Sequence, residues 1–339
     1  MPAPLRSKPL NKTLLPTAFK TVKPVLLTEN IRLTPYIRDL DWSPLGTALA
    51  ATSGASIKVW SPEKPTIKPQ DLRGHVGVVE RVAWRPTREA ELASTGSDGT
   101  VKLWDVRIGG AGKSNVVHDI KVGDHGLFMT WSPDGNEIVV GRRDDVVVPI
   151  DVRMATVPGG PPEALEPREG KKLQTAQTNQ VAFSNSGREV FVTTGDGLIK
   201  VLDWPSMRPL HTLNAHTSAA NCVAHSPNGS YLATGGSDSL IALWDTYDWV
   251  CKHTLANSTS AIHHVSFSFD GTYIASGCGP EKDGQPGLEI AHVETGDYVY
   301  TIETTHAPTT VAWHPLRYWL AFAGDPGGIK TVGVGNSAL

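Results

Sequence analysis

Residues 213–245 read LNAHTSAANCVAHSPNGSYLATGGSDSLIALWD, and this stretch decides the fold. Three short β-rich runs around NCVAH, YLATGG and LIALW are separated by SPNG and SDS, which are turn signals. A unit of three strands with no helical period cannot cover both of its faces, so it should recur along the chain. It does, as an aromatic-centred turn: WSPLG at 42–46, WRPTR at 84–88, WSPDG at 131–135, FSNSG at 183–187, HSPNG at 225–229, FSFDG at 267–271 and WHPLR at 313–317. The first residues of these seven copies are 42, 47, 52, 42, 42 and 46 positions apart. That is close to the ~40–45 residues of a four-stranded propeller blade, with insertions in three repeats.

A second marker keeps phase with the first. A strand ending in Trp or an apolar residue, often followed by Asp, closes the repeats at Trp60, Trp104–Asp105, Asp151, Asp203 and Trp244–Asp245; the copies near 288–293 and 328–334 lack the Trp–Asp pair. These residues resemble the WD40 repeat over about residues 30–335. The expected fold is therefore all-β, a seven-bladed WD40 β-propeller, in which stacking leaves no blade face exposed. The seventh repeat supplies three strands of its own, so its fourth is expected from the other end of the chain, between Leu26 and Leu33. The expected organisation is a basic, proline-rich, disordered tail over 1–24, a propeller over 25–335 closed by an N-terminal strand, and a C-terminal tail over 336–339. On this reading removal of residues 1–24 should be tolerated and removal of 1–34 should not.

Composition agrees with such a fold. Gly and Pro supply 58 of 339 residues, above the roughly 12% of average usage, which favours tight turns over long helices. Ten Trp outnumber seven Phe and seven Tyr, as repeated structural slots require. Net charge is −3, but Arg6, Lys8, Lys12, Lys20 and Lys23 stand in the first 24 residues without an acid, leaving −8 on the rest. The expectation is a mobile basic arm able to attract RNA or an acidic partner, on a body with no general affinity for nucleic acid. No stretch is long and apolar enough to span a membrane, and no membrane partner is expected. Cys222, Cys251 and Cys278 have neither metal-ligand nor disulfide-framework spacing, which fits a reducing cytosolic or nuclear compartment.

Catalysis finds little support. His75, Ser94, Asp98 and Trp104 sit where WD40 members place a hydrogen-bonded tetrad, and His216, Thr234, Asp238 and Trp244 repeat the pattern. Such a network gives every buried polar group a partner and spends its hydroxyl on the Trp, so it reads as structural rather than catalytic. There is no phosphate-binding glycine loop and no His-Glu-x-x-His run, and no metal or cofactor is expected. Interaction surfaces are the alternative. Arg142 and Arg143 either clamp an anionic partner or offset Asp144 and Asp145 locally. Trp204, Trp249 and Trp319 fall outside the repeated Trp slots and are either docking anchors or packing under loops. The segment VPGGPPEALEPREGKK at 157–172 reads as a flexible insertion or a binding motif.

Four stretches resemble the WD-repeat subunit of the THO complex more narrowly: 131–151, 213–245, 289–304 and 310–324. The features that carry this likeness depart from the WD40 norm. They are the paired acids after a basic turn in the third repeat, the Ala-His start of the fifth and the VETGD ending of the sixth. The resemblance implies a non-enzymatic nuclear scaffold of the THO/TREX assembly, which couples transcription to messenger RNA processing and export. It implies contact with large helical THO subunits and, through them, with an RNA helicase and an export adaptor. RNA contact would be indirect or through the tail. The alternative is a substrate receptor of a cullin-type ubiquitin ligase, suggested by the Trp-Asp-x-Arg box of Trp104 to Arg107.

Overall fold

The computed structural model describes residues 6–27, 36–65, 67–108, 115–153, 165–172, 176–279, 287–324 and 328–333. Among these residues lie seven four-stranded antiparallel sheets, one per repeat. In chain order they cover 40–73, 79–121, 126–172, 178–214, 220–255, 262–303 and 310–333, the last completed by Val25–Leu26. We call them the first to seventh blades and their strands a to d in hydrogen-bonding order.

Each blade is built by local chemistry. Strand b carries apolar or small residues on both faces, β-branched ones in Glu189–Thr194, and is buried almost throughout. The a–b turns repeat one device: Ser132 Oγ donates to Asp134 at 2.5 Å and accepts the Glu137 N–H at 2.9 Å, while Gly135 takes φ +68°. Gly46, Gly187, Gly229 and Gly271 also take positive φ at this place. The b–c turns need the same left-handed backbone. Gly99 and Gly197 supply it without penalty, but Asp145 at φ +64° and Ser239 at φ +67° supply it with a side chain.

Contacts divide the chain into two compact units. The described residues of one come from Met1–Ile37, Thr193–Ile199 and Thr212–Leu339. Its cores are built from consecutive blades: Ile241, Leu243, Ile262, Val265 and Phe267 in one cluster, and Trp313, Tyr318, Leu320 and Phe322 with residues of the sixth blade in another. The second unit comprises Arg38–Val192 and Lys200–His211. Here Ile57, Leu72, Trp84 and Trp104 pack together, as do Val101, Ile120, Trp131 and Ile150.

Two expectations are corrected. Residues 1–24 were expected to form a mobile arm, but in the described part Leu14–Lys20 is a helix, α1, with Leu15 and Phe19 buried, and Leu10 is buried ahead of it. Phe19 stands edge-on to Trp313, with centroids 6.2 Å apart. Tyr273 donates to the Leu10 carbonyl at 2.8 Å, and the Leu10 N–H donates to Tyr318 at 3.1 Å. Three apolar side chains outweigh the proline and lysine content, since each contributes about 1.5–3 kcal/mol when buried. The second correction concerns 157–172. Residues 157–164 lie outside the described ones, but Lys171–Lys172 is strand d of the third blade, paired with Val146 and Val147. Arg168 ties this segment down through Glu137 at 2.9 Å and Asp151 at 3.1 Å. The strand expected between Leu26 and Leu33 is seen at Val25–Leu26, opposite Thr331 and Lys330. Residues 28–33 and 336–339 lie outside the described residues.

Candidate functional site

The two tetrads form with their partners in the expected places. In the second blade His75 Nδ1 faces Asp98 Oδ2 at 2.8 Å and Nε2 faces Ser94 Oγ at 2.7 Å, while the Trp104 indole donates to Ser94 Oγ at 2.8 Å. Burial lowers the His75 pKa, so the imidazole is neutral, donates from Nδ1 to the carboxylate and accepts the serine proton at Nε2. Burial pushes Asp98 upward, but the hydrogen bond from His75, with those from Thr100 and the Val76 N–H, brings it down to about 2. In the fifth blade His216 lies 3.0 Å from Asp238 Oδ1 and 2.9 Å from Thr234 Oγ1, which accepts from Trp244 at 3.3 Å. This order of groups is also that of a hydrolytic triad. Here, however, both imidazole side chains have no exposed surface, and Ser94 and Thr234 are wholly buried beneath a Trp N–H. The networks join strands b, c and the turn before strand a, which is structural work.

Several of the candidate docking residues have partners within the chain. Arg142 grips Asp144 through two nitrogens and donates from Nη1 to the Val122 carbonyl at 2.9 Å. Arg143 beside it is exposed. Trp204 donates to Glu137 at 2.8 Å, stands edge-on to Phe183 with centroids 5.1 Å apart, and packs half-buried against a core drawn from the third and fourth blades. Trp319 stacks on His314 at 5.9 Å and is half-buried, as is Trp249, which takes φ +57° in its turn. In the Trp-Asp-x-Arg box, Arg107 folds back on Asp105 at 2.6 and 3.0 Å, and Arg153 grips Asp151 in the same way. Of the basic tail residues, Arg6 donates to the Phe269 carbonyl at 3.1 Å and Lys12 pairs with Asp297 at 2.6 Å. Lys8, Lys20 and Lys23 are exposed.

One feature of this surface was not anticipated from the sequence. Between the a–b and c–d turns of the fifth and sixth blades lies a cleft of about 570 Å³ bounded by Tyr231, Asp245, Tyr247, Asp270, His292 and Glu294. Tyr247 is 95% exposed. The signal was the acid-and-tyrosine run from Asp245 to Asp248, which on its own is ordinary turn chemistry. Among the described residues no three His, Cys, Asp or Glu come together to hold a metal ion. None of Cys222, Cys251 and Cys278 is in a disulfide, and Cys222 and Cys278 are buried.

The sequence model of the WD domain, G-beta repeat, matches residues 30–61, 67–105, 207–245 and 249–285. The β-propeller domain of Cps50 (Swd1) from Myceliophteria thermophila superposes with a TM-score of 0.75 over 93% of this chain and all of that one, at 16% identity. The chain is a seven-bladed β-propeller of WD40 repeats. Among curated proteins, THO complex subunit 3 of Arabidopsis thaliana is 32% identical over 185 residues, 53% of this chain and 54% of that protein. WD repeat-containing protein AAC3 of Dictyostelium discoideum is 30% identical over 152 residues, 43% of this chain and 29% of that protein. The chain thus spans about half the length, or less, of these relatives.

Proposed function

We propose that this WD40 propeller is a non-enzymatic scaffold subunit of a nuclear THO/TREX-type assembly that couples transcription to messenger RNA processing and export. The observation that carries the reading is the 32% identity with THO complex subunit 3, which joins the departures from the WD40 norm in the third, fifth and sixth repeats. The scaffold role is supported by the tetrads, whose hydroxyls are buried and committed to Trp104 and Trp244. Its partners on this reading are large helical THO subunits and, through them, an RNA helicase and an export adaptor. RNA contact is left to those partners or to Lys8, Lys20 and Lys23, because Arg6 and Lys12 are used within the fold.

Affinity purification of the tagged chain followed by mass spectrometry tests this. Large helical THO subunits with a helicase are expected. Recovery of a ubiquitin-ligase adaptor and a cullin scaffold would favour the Trp-Asp-x-Arg reading around Arg107 instead, and recovery of neither set would overturn both.

A further inference from the structure

A small cavity of about 90 Å³ lies between the second and third blades. Leu92, Leu103, Trp104 and Trp131 form its apolar wall, and Arg85 and Glu91 give it a polar end. The volume equals that of about three waters and is well below the roughly 300 Å³ at which small-molecule sites begin, so it suits one short side chain. Ile108 and Val117 also line it and are 45% and 44% exposed, which places two aliphatic side chains in water at its mouth.

Arg85 carries the inference. It is 4% exposed, donates from Nη1 to Glu91 Oε2 at 2.7 Å and lies 5.5 Å from the centroid of the Trp131 ring. Its Nε is buried and has no hydrogen-bond partner among the described residues. A buried charged donor left without an acceptor is costly, and native structures rarely keep one. The acids nearby are already committed. Glu91 Oε1 accepts from Arg88 at 2.7 Å, and Asp105, also in the wall, accepts from two nitrogens of Arg107 at 2.6 and 3.0 Å. Glu89 accepts from Ser43, Thr47 and the Leu45 N–H of the first blade. Three arginines thus share the two carboxylates of the wall, and the deepest of them lacks an acceptor.

We propose that this cavity receives the carboxylate of a glutamate from a partner protein, which accepts from Arg85 while apolar neighbours on the same segment cover Ile108 and Val117. A free small acid would fill the cavity and leave both aliphatic side chains in water, which favours a protein segment as the source. The inference uses the chemistry of the cavity alone and does not depend on membership of a THO-type assembly. Its test is fluorescence anisotropy of the full chain with a labelled peptide bearing one glutamate among leucines and valines, and with its glutamine counterpart. The glutamate peptide should bind about tenfold tighter. Arg85→Gln should abolish that preference, whereas Arg188→Gln, the same change of charge on the exposed surface of the fourth blade, should keep it. Ile108→Ser should weaken both peptides alike, about threefold. Because Arg85 is buried, Ile108→Glu gives a second route at an exposed position: its charge at the mouth should weaken the glutamate peptide more than the glutamine one at low salt. Butyrate should displace the glutamate peptide and butanol should not. Equal affinity for the two peptides, a preference that survives Arg85→Gln in a folded chain, or equal losses of both peptides with Ile108→Glu would each overturn the proposal. Failure of the glutamate peptide to bind would do the same, and butyrate binding in its absence would assign the cavity to a free acid instead.

Discussion

The imidazoles of the second and fifth blades and the apolar side chains of the N-terminal segment solve the same problem, burial, over very different distances. His75 and His216 meet their carboxylates 23 and 22 residues along the chain. Leu10 meets Tyr273 and Tyr318 at separations of 263 and 308 residues. A network confined to one repeat is set by spacing. A segment docked across the sixth and seventh blades is set by a surface that exists only once those blades have formed. The tetrads therefore hold individual blades together, and the N-terminal segment holds the sixth and seventh blades to each other.

The sharpest way to break this contrast is to remove the segment. Deletion of residues 1–24 strips Leu10, Leu15 and Phe19 from a core that includes Trp313 and Tyr318, and should cost on the order of 5 kcal/mol at about 1.5–3 kcal/mol for each side chain. The single change Phe19→Ala should cost about 3 kcal/mol or more. Denaturant unfolding of each truncated or substituted chain reads both. A melting curve for the deletion that overlays that of the full chain would return the segment to the status of a free arm.

On the other side of the comparison, His75→Ala or His216→Ala should cost about 1–3 kcal/mol, because each strands an aspartate and a Trp-bonded hydroxyl. The two losses should add, since the networks share no residue. Coupled losses would mean that the tetrads act across blades.

Titration separates two kinds of half-buried acid. Asp98, held down to about 2, contributes stability that is present above the ordinary carboxylate pKa near 4 and is lost as pH falls towards 2. Asp41 on strand a of the first blade is pushed up to about 7, by burial first and also by the charge of Asp39, although its carboxylate accepts the Trp84 N–H at 2.8 Å. The sign is opposite: the folded protein binds this proton more tightly than the unfolded chain, so stability rises as pH falls from about 7 towards 4. Asp41→Asn keeps an acceptor for Trp84 and should raise the melting temperature at pH 8 by about 2–4 °C while flattening that rise. An unaltered pH profile would remove Asp41 as its source.

The smallest expected effect lies in a turn of the fifth blade. Ser239 holds φ +67° where Gly99 and Gly197 serve other blades, so Ser239→Gly should stabilise by about 0.5–1 kcal/mol, read as a rise in the denaturation midpoint. A fall would show that the serine side chain repays its backbone strain.

By itself the sequence determined what repeats locally. Seven aromatic-centred turns, their spacing and the Trp–Asp strand ends specified seven four-stranded sheets. The likeness of His75, Ser94, Asp98 and Trp104 to the WD40 tetrad implied a buried network, which forms because turn conformation and cross-strand pairing act between residues close in the chain. Tertiary structure alone decided the rest. Averaged over 24 residues, the proline and lysine content of the tail hid Leu10, Leu15 and Phe19, whose burial depends on rings 250 residues and more away. Lys171–Lys172 became a strand because an open edge of the third blade lay beside it, and Trp204 became half-buried because Phe183 of its own blade and Glu137 of the third blade came to it. The cleft beside Tyr247 arose where turns of the fifth and sixth blades face each other. Each of these turns is ordinary alone, and the cleft and the bare ring of Tyr247 follow from the separation that blade packing sets.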